Sequence, residues 1–203
     1  MPCATEVRHA GSETIVKRAI LAGRHHPKNR VPDVLGPNLD ILFVGFNPSL
    51  VSWQKGHHYA NPVNQFYRLL NASRLTPRLL RPEEDVCLPQ WGIGLTNLVM
   101  HLPSANASDV PARIYRQART ELEKKILRYK PRIVVFNGIR IFEYYYGRRP
   151  RQLGLQPERA GQSLVFVLPS SSGAANAYIK ERLKLFRALR NLKARLHEVR
   201  QRC

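Results

Sequence analysis

Asp40-Ile-Leu-Phe-Val-Gly45 is an unbroken apolar run closed by a glycine. A strand with one face in water alternates apolar and polar residues, so a continuous run of this length marks a strand buried on both faces, as in a parallel sheet. Two further segments have the same form. Arg132-Ile-Val-Val-Phe136 follows Pro131 and ends at Asn137-Gly138, and Ser163-Leu-Val-Phe-Val-Leu168 is stopped by Pro169 and a serine run. Gly92–Val99 is a shorter candidate. The segments between these read as helices. Pro62–Ala72 carries Phe66, Leu69 and Leu70 on one face, and Val110–Tyr129 places Ile114, Ala118, Leu122 and Ile126 at every fourth position. A helix through Phe142–Tyr146 follows Asn137-Gly138. The last helix, from about Ala177 to Val199, has an apolar stripe of Ile179, Leu183, Phe186, Leu189, Leu192, Leu196 and Val199, with a basic face that reads as solvated. Alternating strands and helices predict an α/β fold, a three-layer αβα sandwich around a mainly parallel sheet of about four strands.

Outside these elements the chain is less patterned. Residues 1–30 read as a basic arm with a short helix around Thr14–Ala22, residues 31–193 as one catalytic-sized domain, and residues 194–203 as a basic helix end. The stretch 74–90, with Pro77, Pro82, Pro89 and Glu83-Glu84-Asp85, reads as surface.

Charge narrows the partners. Thirty-three Lys and Arg against fourteen Asp and Glu give a formal net charge of +19 in 203 residues. A domain this basic points first to nucleic acid and second to an anionic membrane surface. No apolar run approaches the ~20 residues that a spanning helix needs. Cys3, Cys87 and Cys203 are scattered and form no CxxC pair, so no disulfide framework, zinc finger or four-cysteine iron–sulfur cluster follows. The sequons at Asn71 and Asn106 come with no signal peptide and read as idle.

In open parallel sheets, ligands sit beyond the carboxyl ends of the strands. The segments that leave those ends are Gly45–Leu50, Asn137–Arg140 and Leu168–Ala174, and the site is expected there. Gly45-Phe46-Asn47-Pro48-Ser49 holds an amide in a tight turn, although an Asn beside a Pro is also an ordinary turn-former. Lys55-Gly56-His57-His58-Tyr59 follows, with an aromatic suited to stacking on a planar ligand. A metal there lacks an evident third ligand. Leu168-Pro169-Ser170-Ser171-Ser172-Gly173 presents hydroxyls and N–H groups suited to phosphate, or to capping the next helix. No GxSxG elbow, Walker loop or dinucleotide fingerprint is present.

These blocks, in this order and spacing, resemble the thymine-DNA glycosylase and mismatch-specific uracil-DNA glycosylase family within the uracil-DNA glycosylase superfamily. The resemblance runs from about Arg30 to Leu192. It also takes in Gly92-Ile-Gly-Leu-Thr-Asn97, Pro131–Gly138 and Gly154-Leu-Gln-Pro157. It implies a monofunctional glycosylase, a monomer without metal or other cofactor. Such an enzyme acts on double-stranded DNA carrying a G·U or G·T mismatch, in a nucleus or bacterial nucleoid. By resemblance, Asn47 positions the attacking water and Tyr59 stacks on the flipped base. Phe46, Pro48, Ser49, Ser52, His58, Asn64 and Asn97 line the pocket, with Asn97 reading the base edge. Ser170 to Ser172 meet DNA phosphates, and Gly173 and Ala174 enter the gap left by the flipped base; Lys55, the one lysine near the motif, reads as a phosphate contact or a structural residue. Three departures stand out. Ser49 replaces a usual glycine and is expected to narrow the pocket. Ala174 sits where a larger wedge is usual and is expected to weaken flipping. Ser52, near the C5 edge of the base, resembles the uracil-preferring branch. The competing readings are a catalytically weakened mismatch binder and an RNA-binding protein on a borrowed fold.

Overall fold

The computed structural model describes residues 31–103, 112–173 and 179–201. The basic arm, its short helix and Ala174 lie outside the described residues. Five strands form one sheet in the order β2-β1-β3-β5-β4. They are β1 (Ile41–Gly45), β2 (Ile93–Asn97), β3 (Ile133–Asn137), β4 (Gly154–Ala160) and β5 (Ser163–Leu168). The helices are α1 (Leu50–Lys55), α2 (Phe66–Ala72), α3 (Ala112–Tyr129), α4 (Ile139–Tyr146) and α5 (Ile179–Gln201), with a 3₁₀ stretch at Pro82–Trp91.

The parallel strands β1, β2 and β3 are buried along their whole length, which is why β1 and β3 read as continuous apolar runs, whereas Gly94, Thr96 and Asn97 made β2 a weaker candidate. Alternate side chains feed two cores. On one face Ile41, Phe43, Val135 and Phe166 pack against α2 and α5 through Phe66, Leu70, Phe186 and Leu189. On the other, Leu42, Val44, Val134, Phe136 and Val165 pack against α3 and α4 through Leu122, Ile126, Ile141 and Phe142. The result is the expected αβα sandwich.

Two expectations are corrected. The sheet has a fifth strand: β4 pairs antiparallel with β5 at the edge, with an irregular register between Leu155 and Arg159. Its alternating burial and internal Pro157 suit an edge position and hide it from a search for apolar runs. The stretch after residue 74 is not simply surface, because Leu75, Leu80, Asp85 and Leu88 are buried under it.

The strand order places the carboxyl ends of β1, β2 and β3 side by side, with Gly45 opposite Asn97 and Asn137 opposite Leu168. The loops leaving β1, β3 and β5 therefore open onto one place.

Candidate active site

At that place lies a cavity of about 150 Å³. Pockets for drug-sized ligands run to roughly 300–1,000 Å³, so this one holds a single small ring. Phe46, Asn47, Pro48, Ser49, Ser52, His58, Tyr59, Asn64, Asn97 and Ser170 to Ser172 all line it, joined by Val31, Gly45 and Asn137. The structure thus brings together residues from six separated stretches of the chain. It does not bring Lys55, which ends α1 on the exposed surface, nor Gly173, which abuts Val63. A Cβ on Gly173 would fall 2.6 Å from the Val63 side chain, so glycine there serves close packing. Ala174 falls outside the described residues.

The amides at the strand ends are held in fixed orientations. Asn47 donates from Nδ2 to the Leu102 carbonyl at 2.9 Å, which sets the plane of its amide. Asn137 donates from Nδ2 to Ser171 Oγ at 2.9 Å, and its buried Oδ1 has no partner. Asn64 Oδ1 accepts from the Phe66 backbone N–H at 3.0 Å, steadying the start of α2. Asn97 is buried, and its Oδ1 lies 2.3 Å from where a Cβ on Gly45 would stand. Glycine at 45 is therefore a condition for Asn97 to reach the cavity.

Ser49 and Ser52 have structural tasks. Ser49 caps α1, its Oγ accepting from Ser52 N at 3.1 Å. The Ser49 hydroxyl donates to Ser52 Oγ at 3.1 Å, and that oxygen also accepts from Ala60 N at 3.0 Å. The pair thus closes the loop between α1 and Ala60. The Ser49 hydroxyl is spent as a helix cap, which tempers the expectation that it merely crowds the pocket.

Within that loop, Tyr59 has a φ of 53°. A bulky residue in the left-handed region is uncommon, and such strain gathers at functional sites. One face of its ring stacks on Phe66, with centroids 3.9 Å apart. The hydroxyl is buried without a hydrogen-bond partner, and burial pushes its pKa up to about 12. The nearby Asn137 amide opposes that shift without reaching hydrogen-bond geometry. His58 is buried, and its Nε2 lies 2.9 Å from the Pro32 carbonyl. Since a carbonyl only accepts, Nε2 carries the proton. Burial holds this imidazole below its ordinary pKa, against the pull of Asp85.

Asp85 is the residue that sequence reasoning missed. It is buried rather than solvated: Oδ2 accepts the His58 backbone N–H at 2.9 Å and Oδ1 meets His57 Nδ1 at 3.1 Å. Of its two acidic neighbours, Glu83 is exposed and Glu84 is half-buried on Arg78 and the Arg81 N–H, and an acidic triplet gives no sign of which member turns in. Asn137 was equally visible as a strand end but not as a pocket wall.

The serines of the loop after β5 divide. Ser170 and Ser172 are exposed and bonded to each other, Oγ to Oγ, at 3.1 Å. Ser171 is buried, its Oγ on Asn137 and its carbonyl on Gln65 N at 2.9 Å. Only the outer two can meet a ligand from solvent.

Among the described residues neither a carboxylate nor a lysine lines the cavity, and no cluster of acidic, His or Cys side chains among them is able to hold a metal ion. No described helix is long and apolar enough to cross a membrane.

A family model described as the uracil DNA glycosylase superfamily matches residues 32–192. Among solved structures, the solution NMR structure of a candidate uracil DNA glycosylase from Methanosarcina acetivorans is similar. It aligns with a TM-score of 0.51 at 25% identity, over 80% of this chain and 98% of that one.

Proposed function

This chain belongs to the uracil-DNA glycosylase superfamily, and from that premise we propose that it excises uracil mispaired with guanine in double-stranded DNA by hydrolysing the N-glycosidic bond. The observation that carries the reading is the cavity itself. It has the size of one flipped base, its polar lining is amide, hydroxyl and neutral imidazole, and Asn47 stands at the exit of β1 with its amide pinned.

The lining decides the kind of catalysis. An amide can orient a water but cannot take its proton near neutral pH, and a desolvated His58 already bonded to Pro32 is a weak base. Bond breaking at the sugar must then run ahead of water attack. The departing base gathers negative charge, which fixed donors around the cavity stabilise in a region shielded from water. No lysine among the described residues lines the cavity, which favours a single hydrolytic step with no strand cleavage through a Schiff base. Tyr59, backed by Phe66, offers a rigid ring to the base, and the exposed Ser170 and Ser172 offer donors to the phosphates on either side of it.

Mispairing lowers the cost of flipping, which is a few kcal/mol from a sound pair, so a G·U wobble is favoured over A·U without a specific contact. Ser52 directs the preference for uracil over thymine: it is buried at the wall, committed to Ala60 and Ser49, and unable to move aside for a methyl group. The enzyme works as a monomer wherever the cell keeps its DNA, nucleus or nucleoid. Single-turnover excision from G·U, G·T, A·U and single-stranded U substrates tests the reading. G·U is expected to be cut fastest and G·T slowest, and equal rates on all four would overturn the mismatch preference.

A further inference from the structure

Arg182 is the largest side chain in the described residues that is fully buried, at 0% exposure. It sits in the first turn of α5, four residues before Phe186 and seven before Leu189, both of which are buried in the core. A charged residue on this apolar stripe must find partners or be costly. It finds one: Nη2 donates to the Ser172 carbonyl at 3.2 Å. Nε and Nη1 are buried with no hydrogen-bond partner, and none of the ion pairs in the described residues includes Arg182. Its place near the positive end of the helix dipole adds to the penalty. Burial accordingly works against the charged form of this guanidinium.

A cation kept under such conditions calls for an anion. The carbonyl that accepts from it belongs to Ser172, whose exposed hydroxyl is bonded to that of the exposed Ser170, so the guanidinium lies one carbonyl behind this pair. We propose that Arg182 is the buried countercharge for a DNA backbone phosphate seated on the Ser170–Ser172 loop. This rests on the glycosylase reading for the identity of the polyanion, but not for the charge balance. An anion on the loop would neutralise the guanidinium across a region that excludes water, where the attraction is far stronger than in bulk solvent. Arg182 is then a positioning residue: it acts on DNA through the loop and sets the loop's charge rather than touching the reacting atoms.

The test compares the wild-type chain with Arg182→Met, Arg182→Gln and Arg182→Lys. Binding of a fluorescein-labelled duplex, with and without a G·U mismatch, is followed by anisotropy over a range of salt, and Tm is measured without DNA. Removing the charge should weaken binding by about tenfold on both duplexes and reduce the salt slope by about 0.9, the share of one phosphate. Arg182→Lys should keep most of the slope. Without DNA, the Met variant should melt at or above the wild-type temperature, because an uncompensated buried charge is gone. A lower Tm with an unchanged slope would mean that Arg182 only fills space, and the proposal fails. Should the Met variant not fold, the Gln variant, which keeps a donor for the Ser172 carbonyl, carries the same readings. Inorganic phosphate raising the wild-type Tm as much as duplex does, in an Arg182-dependent way, would assign the site to free phosphate and overturn the DNA assignment. Because the readout is binding, a chain that shows the Arg182-dependent slope yet cuts nothing refutes the glycosylase reading alone. A chain that cuts with an unaltered slope refutes the role of Arg182 alone.

Discussion

Replacing Asp85 with alanine should loosen the base pocket from behind. The carboxylate is 3% exposed and holds both ends of the His57-His58 pair, one through a backbone N–H at 2.9 Å and one through an imidazole at 3.1 Å. Hydrogen bonds to a buried charged group contribute about 1.5–3 kcal/mol each, and an orphaned buried N–H costs about 1–3 kcal/mol. The His57 ring is 27% exposed, so its share is discounted for solvent screening. The loss is then about 3 kcal/mol, most of it at His58. For a domain of this size that is a fall in Tm of about 6–12 °C. Asp85→Asn keeps an acceptor for the His58 N–H and should lose only about 1 kcal/mol, or about 2–4 °C. Because His58 and Tyr59 both line the cavity, the alanine variant should also excise uracil at least about tenfold more slowly in single turnover, well below its Tm. Scanning calorimetry and quench-flow on a G·U duplex read the two effects. A Tm within about 2 °C of wild type for Asp85→Ala, together with an unchanged rate, would refute the claim that this carboxylate organises the pocket.

Gly45→Ala places a methyl 2.3 Å from Asn97 Oδ1 and 3.3 Å from the Tyr59 hydroxyl. Overpacking of this kind costs about 1–3 kcal/mol, so G·U excision should fall while global unfolding shifts modestly, as urea titration beside single-turnover kinetics would read. Tyr59→Phe removes a buried hydroxyl that has no partner, so Tm should hold or rise, and a slower G·U reaction would place the hydroxyl against the base. A clear drop in Tm would instead show that the hydroxyl had a partner. Stability should also depend on pH through His58, whose folded pKa is lowered. Below about pH 6.5 the unfolded chain takes up a proton that the folded imidazole refuses, so stability falls on acidification by up to about 1.4 kcal/mol per pH unit, while above that pH this group adds no slope. Denaturant midpoints across pH 5–7.5 for wild type and His58→Gln check it, and equal slopes in the two proteins would exclude the imidazole as the source.

The parts of the fold that sequence made legible are those where burial alone dictates composition. Strands β1, β3 and β5 are packed between helices on both faces, so Ile, Val, Leu and Phe run unbroken through them. Strand β4 has one neighbour and one exposed edge, and its Glu158 and Arg159 look like loop. The same contrast holds at the site. Asn47 and the serine loop leave strand ends, where open sheets collect ligands, and Tyr59 follows Asn47 within a short motif, so their spacing marked them. Residues that act from behind left weaker traces. Asp85 hides in an acidic triplet, and Ser171 is the inward member of three identical letters. Arg182 had a readable signal, a charge on the apolar stripe of the last helix, but it is one of many basic residues there.

On the proposed function, this cavity hydrolyses the glycosidic bond of uracil with Asn47 placing the water. Single-turnover cleavage of a G·U duplex by wild type and Asn47→Ala, with binding measured in parallel, tests it most directly. Wild type should convert uracil to an abasic site, and the variant should bind equally well but cut at least about a hundredfold more slowly. A variant that cuts at the wild-type rate, or a wild type that binds the duplex and leaves every uracil in place, would contradict it.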